Sequence, residues 1–147
     1  PWFLDGPLAQ QIWAYIDQEN ITYISSAGNN TLEMWTGLFQ GVSINTNIWL
    51  DFYHQGTTAN IQNRILVHHE DTVSVYLQWQ DNWQDAENNY DLYIFEQYDP
   101  NTPVGSGGRT VQGPGQNQEP KEVVVFANNS GADLYYNIQE KKERPQR

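Results

Sequence analysis

At 147 residues the chain has the length of one ordinary domain, and its six Trp, nine Tyr and five Phe supply large apolar surfaces for a core. The formal net charge is −11, from seven Lys and Arg against eighteen Asp and Glu, so the chain lacks the basic face that nucleic acid binding needs. The absence of Cys excludes disulfides, thiolate metal sites and cysteine nucleophiles, and no apolar run approaches the ~18–20 residues of a membrane helix.

The first 34 residues predict a helix followed by a strand. Apolar residues at helical spacing, such as Leu8 and Ile12, predict a helix over residues 7–18, with Pro7 in the first turn, where proline is tolerated. A β-rich run over residues 21–27 then ends in a Gly-Asn-Asn turn. One helix and one strand cannot bury both faces of a parallel sheet, so this unit is expected to dock on a sandwich or to complete another sheet.

From Trp35 onward, short runs rich in aromatic and β-branched residues alternate with Gly, Asn, Asp and Pro clusters. This texture predicts a mainly β fold, an antiparallel β-sandwich or jelly roll of about eight strands over residues 35–140. Residues 101–120 are predicted to be a long exposed connection and residues 141–147 a charged tail. The candidate strands are residues 41–44, 48–52, 61–67, 72–79, 90–97, 110–112, 122–127 and 134–140.

The clearest strand covers residues 72–79, where apolar and polar side chains alternate. One face of this strand is expected to pack against the core and the other to be exposed to solvent. The predicted core face consists of Val73, Val75, Leu77 and Trp79.

Motifs for hydrolytic catalysis are missing from the sequence. No Gly-x-Ser-x-Gly pattern occurs, and Ser106 lies between two glycines in the predicted connection. His54, His68 and His69 are expected at the surface, and the two adjacent histidines would face opposite sides of an extended segment. The chain is therefore not expected to be an enzyme by itself.

Carboxylate and amide oxygens gather between the predicted strands 72–79 and 90–97. Such oxygens are the ligands that Ca²⁺ prefers, so one loop could supply a calcium site. A plain polar loop remains the alternative, since no EF-hand spacing occurs, and glycoside hydrolysis is disfavoured because nothing raises one pKa on a solvated turn. The candidate ligands are Asp81, Asp85, Asn88, Asn89 and Asp91.

Aromatic residues near the same loop permit a third interpretation, a sugar-stacking platform of a carbohydrate-binding module. The predicted core orientation of Trp79 weighs against this platform. Its candidate members are Trp79, Trp83, Tyr90, Tyr93 and Tyr98.

Two stretches together resemble subtilisin-like serine peptidases. Residues 21–29, Ile-Thr-Tyr-Ile-Ser-Ser-Ala-Gly-Asn, resemble the segment in which a core strand of that family ends in Ala-Gly-Asn, and residues 3–10 resemble the helix start before it. The resemblance implies an oxyanion-hole role for Asn29. Residues 77–81 and 89–94, with the closing run 122–128, are similar to an inserted β-sandwich of the pre-peptidase C-terminal type, whose relatives often bind calcium.

The catalytic Asp, His and Ser motifs of that family are absent from this chain. The expectation is therefore a non-catalytic extracellular β-sandwich segment that stabilises or positions a subtilase-like parent, with calcium as a possible ligand. Its expected partners are the remaining segments of the parent or copies of itself. Two alternatives stay open: a subunit of an extracellular fibre assembled by strand addition, and the carbohydrate-binding module.

Overall fold

In a computed structural model, the chain divides into two compact units, Pro1–Leu38 and Phe39–Arg147, which are described separately. The structure describes residues 35–53 and 58–143 and, among the first 34 positions, only Gln11 and Ala14. The predicted helix-strand unit, with Asn29, therefore lies outside the described residues, as do His54 and the last four residues of the predicted tail.

Nine strands occupy the described part of the second unit, which confirms the mainly β prediction. Most of them coincide with runs of alternating apolar and polar residues, the pattern of a half-buried strand. In chain order they are β1 (Gly41–Ile44), β2 (Asn47–Leu50), β3 (Asn63–Val67), β4 (Thr72–Gln78), β5 (Asn89–Glu96), β6 (Asp99–Pro103), β7 (Ser106–Gly107), β8 (Lys121–Ala127) and β9 (Leu134–Glu143).

The strands form two antiparallel sheets. Sheet A has the order β1-β2-β9-β5-β6, with β3 also paired to β9, and sheet B has the order β4-β8-β7. The ten-residue strand β9 organises sheet A, since β5 pairs along one side of it while β3 and then β2 pair along the other. The first half of β9 therefore lies beside β3, and its last residues lie beside β2 at the other end of the sheet.

The core lies between the two sheets, as in a β-sandwich. Its buried residues come from β3, β5, β8 and β9, and half-buried side chains of β4 pack against them. Burying large aliphatic and aromatic side chains in this layer supplies the main stabilisation of the domain. The central cluster is Val67, Leu92, Ile94, Val124, Phe126 and Tyr136.

The predicted alternation along β4 is confirmed. Val73, Val75 and Leu77 pack against the core, while Ser74 and Tyr76 are exposed. A strand with one face on a core and one in water requires this period of two.

Four strand assignments differ from the sequence prediction. Residues 110–112 are not a strand, whereas β7 and the last three residues of β6 lie inside the stretch predicted as a long exposed connection. Strand β6 contains Pro100 and Pro103, which a sheet tolerates at its edge because no ladder partner needs their missing N–H groups. Strand β9 continues to Glu143, three residues beyond its predicted end, because its last residues pair with β5 and β2.

Candidate functional site: a charged groove at one end of sheet A

A groove of about 490 Å³ lies where β9 ends, β5 begins and the β1–β2 hairpin turns. This end groove has the size of a typical ligand pocket. Its lining is polar and charged, with three cationic and two anionic side chains in a chain of net charge −11. The lining residues are Thr46, Asn47, Ile48, Asn89, Asp91, Arg109, Val111, Lys141, Lys142 and Glu143.

The register of β5 against β9 places opposite charges side by side. Asp91 lies directly opposite Lys141, and Lys141 also forms an ion pair with Glu143 on its own strand. Cross-strand neighbours of this kind have Cβ atoms about 4.5–5.5 Å apart. Burial, with the nearby Glu143, raises the pKa of Asp91, while Lys141 and Arg109 oppose that shift. The groove thus holds its charges in a preformed network.

Lys142 points to the opposite face of sheet A from Lys141, as alternation requires. Its Nζ lies 5.5 Å from the centroid of the Tyr90 ring, directly across from it in the ladder. This cation–π contact holds the Lys142 ammonium over the Tyr90 ring, on the face of sheet A away from Asp91 and Lys141, although Lys142 is among the residues that line the end groove.

An aromatic layer borders the end groove on the outer face of sheet A. The hydroxyl of Tyr93 donates a hydrogen bond of 2.8 Å to Oδ2 of Asp91, and burial together with this bond raises the pKa of Tyr93. The Arg109 guanidinium lies 5.7 Å from the Tyr93 ring centroid, and Trp49 meets the same ring edge-on at 5.9 Å. Contacts with Arg109, Trp49 and Phe95 therefore surround the Tyr93 ring.

Arg109 and Val111 belong to an extended segment, residues 108–112, which follows the edge of β5. The backbone N–H of Leu92 donates to the carbonyl of Gly108 at 2.6 Å. Gly108 has a φ of +77°, and a Cβ there would lie 2.3 Å from the carbonyl oxygen of Leu92, so only glycine fits. This close approach holds Arg109 against the sheet.

The buried carboxylate of Glu122 fixes the same segment from sheet B. It accepts hydrogen bonds from the backbone N–H and hydroxyl of Thr110 and, at 2.6 Å, from Nε2 of Gln112. Burial raises the pKa of Glu122, although these hydrogen bonds act to lower it. Strand β8 of sheet B thereby holds the segment 108–112, which forms one wall of the end groove on sheet A.

The predicted calcium ligands divide between two places. Asn89 and Asp91 line the end groove, and Oδ1 of Asn89 accepts a hydrogen bond from the N–H of Gln112. Asp81 and Asp85 lie in the loop between β4 and β5, which covers residues 79–88. Within residues 35–53 and 58–143, no group of three or more His, Asp or Glu side chains is arranged to hold a metal. The calcium site stays a prediction.

The two loop carboxylates accept hydrogen bonds from backbone N–H groups. Asp81 accepts from the N–H groups of Asn82, Glu87 and Asn88 and from the side-chain amide of Asn88. Burial alone would raise the pKa of Asp81, but these donors together lower it. Both oxygens of Asp85 accept from the N–H of Gly115, and one also accepts from the N–H of Asn117. These carboxylates close the loop and tie it to the connection before β8.

The rings of the predicted sugar platform do not share a face. Trp79 packs edge-on against Tyr90, which lies on the core-facing side of β5, whereas Tyr93 lies on the outer face. Tyr98 is in the turn after β5 and is 76% exposed. The neighbouring histidines, His68 and His69, lie at the surface as predicted.

The sequence did not indicate the cations of the end groove. The run Lys141, Lys142 and Glu143 resembles a solvated tail when the chain is taken alone, and Arg109 lies in a segment without strand character. Residues 141–143 are all charged, so no alternation of apolar and polar residues marks them as the continuation of β9.

Among the described residues, no helix has the length and apolar content to cross a membrane. Neither a protein-family model, nor a curated protein, nor a solved structure matches this chain.

Proposed function

We propose that the chain contributes a non-catalytic accessory domain to an exported, subtilisin-like peptidase, and that its end groove docks an acidic polypeptide segment. The domain acts by binding and positioning. The resemblance of residues 21–29, 77–81 and 89–94 to that family supports the parent, and the absence of its catalytic Asp, His and Ser motifs supports the non-catalytic role.

The observation that carries the choice of ligand is the charge of the groove lining, where three cationic side chains meet two anionic ones, a formal excess of one positive charge in a chain of net charge −11. Three of the seven basic residues of the chain line the end groove, namely Arg109, Lys141 and Lys142. A cationic groove attracts anionic ligands, whereas the acidic remainder of the surface repels them. Carboxylates of Asp and Glu side chains are the anions that a polypeptide offers to a guanidinium and two ammonium groups.

The aromatic layer favours a peptide over a sugar. Stacking a sugar needs an open ring face, but Arg109 covers the Tyr93 ring and Trp49 meets it edge-on. The guanidinium is thus presented at the groove by a ring beneath it. An extended chain can follow the groove from the β1–β2 hairpin to the end of β9.

Titration of the ¹⁵N-labelled chain with a short blocked peptide of alternating Asp and Gly tests the proposal. Backbone resonances of Asn47, Asn89, Arg109 and Lys141 are expected to shift, because these residues line the groove. The matched control is the same peptide with Asn in place of Asp, which differs only in charge. Equal shifts with both peptides, or none with either, would reject the acidic-segment proposal.

Charge-removing variants distinguish the groove from general attraction. Arg109→Gln and Lys141→Gln are each expected to weaken binding about tenfold, the value of a hydrogen bond to a charged group. Arg64→Gln and Lys121→Gln also remove one positive charge, but from sites beside Tyr135 and Glu119 outside the groove. These controls should bind as the unmodified chain does.

A further inference from the structure

Strand β4 is the one edge strand of the described sheets that combines length with a lack of protection. Edge strands present unpaired N–H and C=O groups, and proteins usually shield them with prolines, charges or shortness. Strand β6 contains two prolines and an aspartate, β3 contains Arg64, β1 has four residues and β7 has two. Strand β4 has seven residues, Thr-Val-Ser-Val-Tyr-Leu-Gln, with no charge, proline or glycine.

The free edge of β4 carries the backbone groups of its even-numbered residues. In an antiparallel ladder, alternate residues direct their N–H and C=O groups to the same neighbour. The N–H of Trp79 donates to Pro120 and the carbonyl of Asp71 accepts from Asn128, so the odd-numbered residues bond towards β8. The register between β4 and β8 is regular, and therefore Ser74 and Tyr76 direct their backbone groups away from β8.

We infer that two copies of this chain associate by antiparallel pairing of β4 with β4 about a two-fold axis at Val75. In this register Ser74 lies opposite Tyr76 of the second copy, and both belong to the set with free backbone groups. The two residues can therefore exchange both N–H···O bonds. Val73 likewise lies opposite Leu77, which joins the half-buried apolar side chains of the two cores.

The second copy is the occupant that the sequence of β4 favours. Pairing about a central residue matches every position with one on the same face, so apolar meets apolar and polar meets polar. The strand is also neutral, so a partner that itself carries −11 meets no charge along the shared edge. Tyr76, which is 68% exposed, would lie diagonal to its symmetry mate, within reach of an aromatic side chain.

A two-fold contact of this kind closes on itself, so the expected product is a dimer rather than a fibre. Association should strengthen with added salt, because screening reduces the repulsion between two acidic chains. Sedimentation velocity of the full 147-residue chain over a concentration series, at low salt and at about 0.5 M salt, measures both effects. A monomer under all conditions, or an open series of larger species, would overturn the inference.

Hydrogen exchange locates the contact. Amides of Ser74 and Tyr76 are expected to gain protection as the dimer forms, whereas the Val75 amide, already bonded to β8, serves as the internal control. Ser74→Pro removes an outward N–H without removing a ladder bond, and it should raise the dissociation constant about tenfold or more because the symmetric contact loses two donors. Ser74→Thr is the matched control that keeps the N–H and should retain dimerisation.

A second variant, Tyr76→Lys, tests the interface independently if Ser74→Pro fails to fold. Tyr76→Lys keeps the backbone but places two ammonium groups on one face of the joined sheet, and it should also yield monomers. Circular dichroism and thermal melting identify which variants are folded. A dimer that persists unchanged in a folded variant of either kind would show that β4 is not the interface.

Discussion

The burial of the Glu140 carboxyl group predicts that the free energy of unfolding depends on pH. Glu140 lies on β9 on the same face as Tyr136 and Ile138, directly opposite Leu92, and is only 7% exposed. Burial raises its pKa from 4.5 to about 7. Nearby polar groups do not offset the burial, and the Lys142 ammonium lies over the Tyr90 ring.

The sign follows from the direction of the shift. The folded-state pKa is above the unfolded value, so folding favours the neutral acid, and its contribution is fully present below pH 4.5. This contribution is lost as the pH rises through about 7. A shift of this size corresponds to about 3 kcal/mol in the free energy of unfolding.

Urea unfolding at a series of pH values between about 4.5 and 8 measures this loss. Glu140→Gln is expected to remove a decrease of about 3 kcal/mol between those limits, since the amide does not titrate. Other carboxyl groups titrate equally in both proteins, so the difference between the two curves isolates Glu140. Glu87→Gln, an exposed change of the same chemistry, should leave the wild-type curve unaltered. Parallel curves for the wild type and Glu140→Gln would refute the argument.

Five further experiments have expected outcomes. Asp81→Ala should lower the free energy of unfolding by about 2 kcal/mol in the presence of a chelator, because the N–H groups of Glu87 and Asn88 lose a charged acceptor. Melting of the wild type with and without Ca²⁺ separately tests the predicted calcium site, which an unchanged Tm would reject. Asn128→Ala should lower the free energy of unfolding, measured in urea, by a similar amount. The side-chain amide of Asn128 is buried and donates hydrogen bonds to the carbonyls of Val67 and Ala132. The chain alone should not hydrolyse peptide substrates, and measurable turnover that survives repurification would contradict the non-catalytic proposal. In an assembled parent peptidase, Asn29→Ala should reduce turnover roughly 10²–10³-fold, and unchanged turnover would count against the oxyanion role.

Much of the fold could be predicted because alternation is a local property. Val73, Val75 and Leu77 reveal the core face of β4 from their spacing alone, and the same pattern marks β8 and the first part of β9. The strands in the Pro- and Gly-rich connection could not be found this way. Strand β6 and the two-residue β7 exist because neighbouring strands offer them ladder partners, not because of their own propensity.

The candidate site shows the same division. The polar residues Asn89 and Asp91 stand out in the sequence as candidate ligands, and both line the end groove. Arg109 and Lys141 show no local sequence pattern that distinguishes a groove residue from a solvated one. Their role depends on which residues lie across the ladder and beside the edge of β5.

The sequence by itself determined the class of the fold, since a period of two in hydrophobicity demands strands with one buried face, and it determined the acidic, cysteine-free character of the surface. Tertiary structure decided where the charges meet. Lys141 lies opposite Asp91, and Thr110 reaches Glu122, only because one register was selected among several that the same alternation would permit. Register depends on packing between residues far apart in the chain, and no local pattern specifies it.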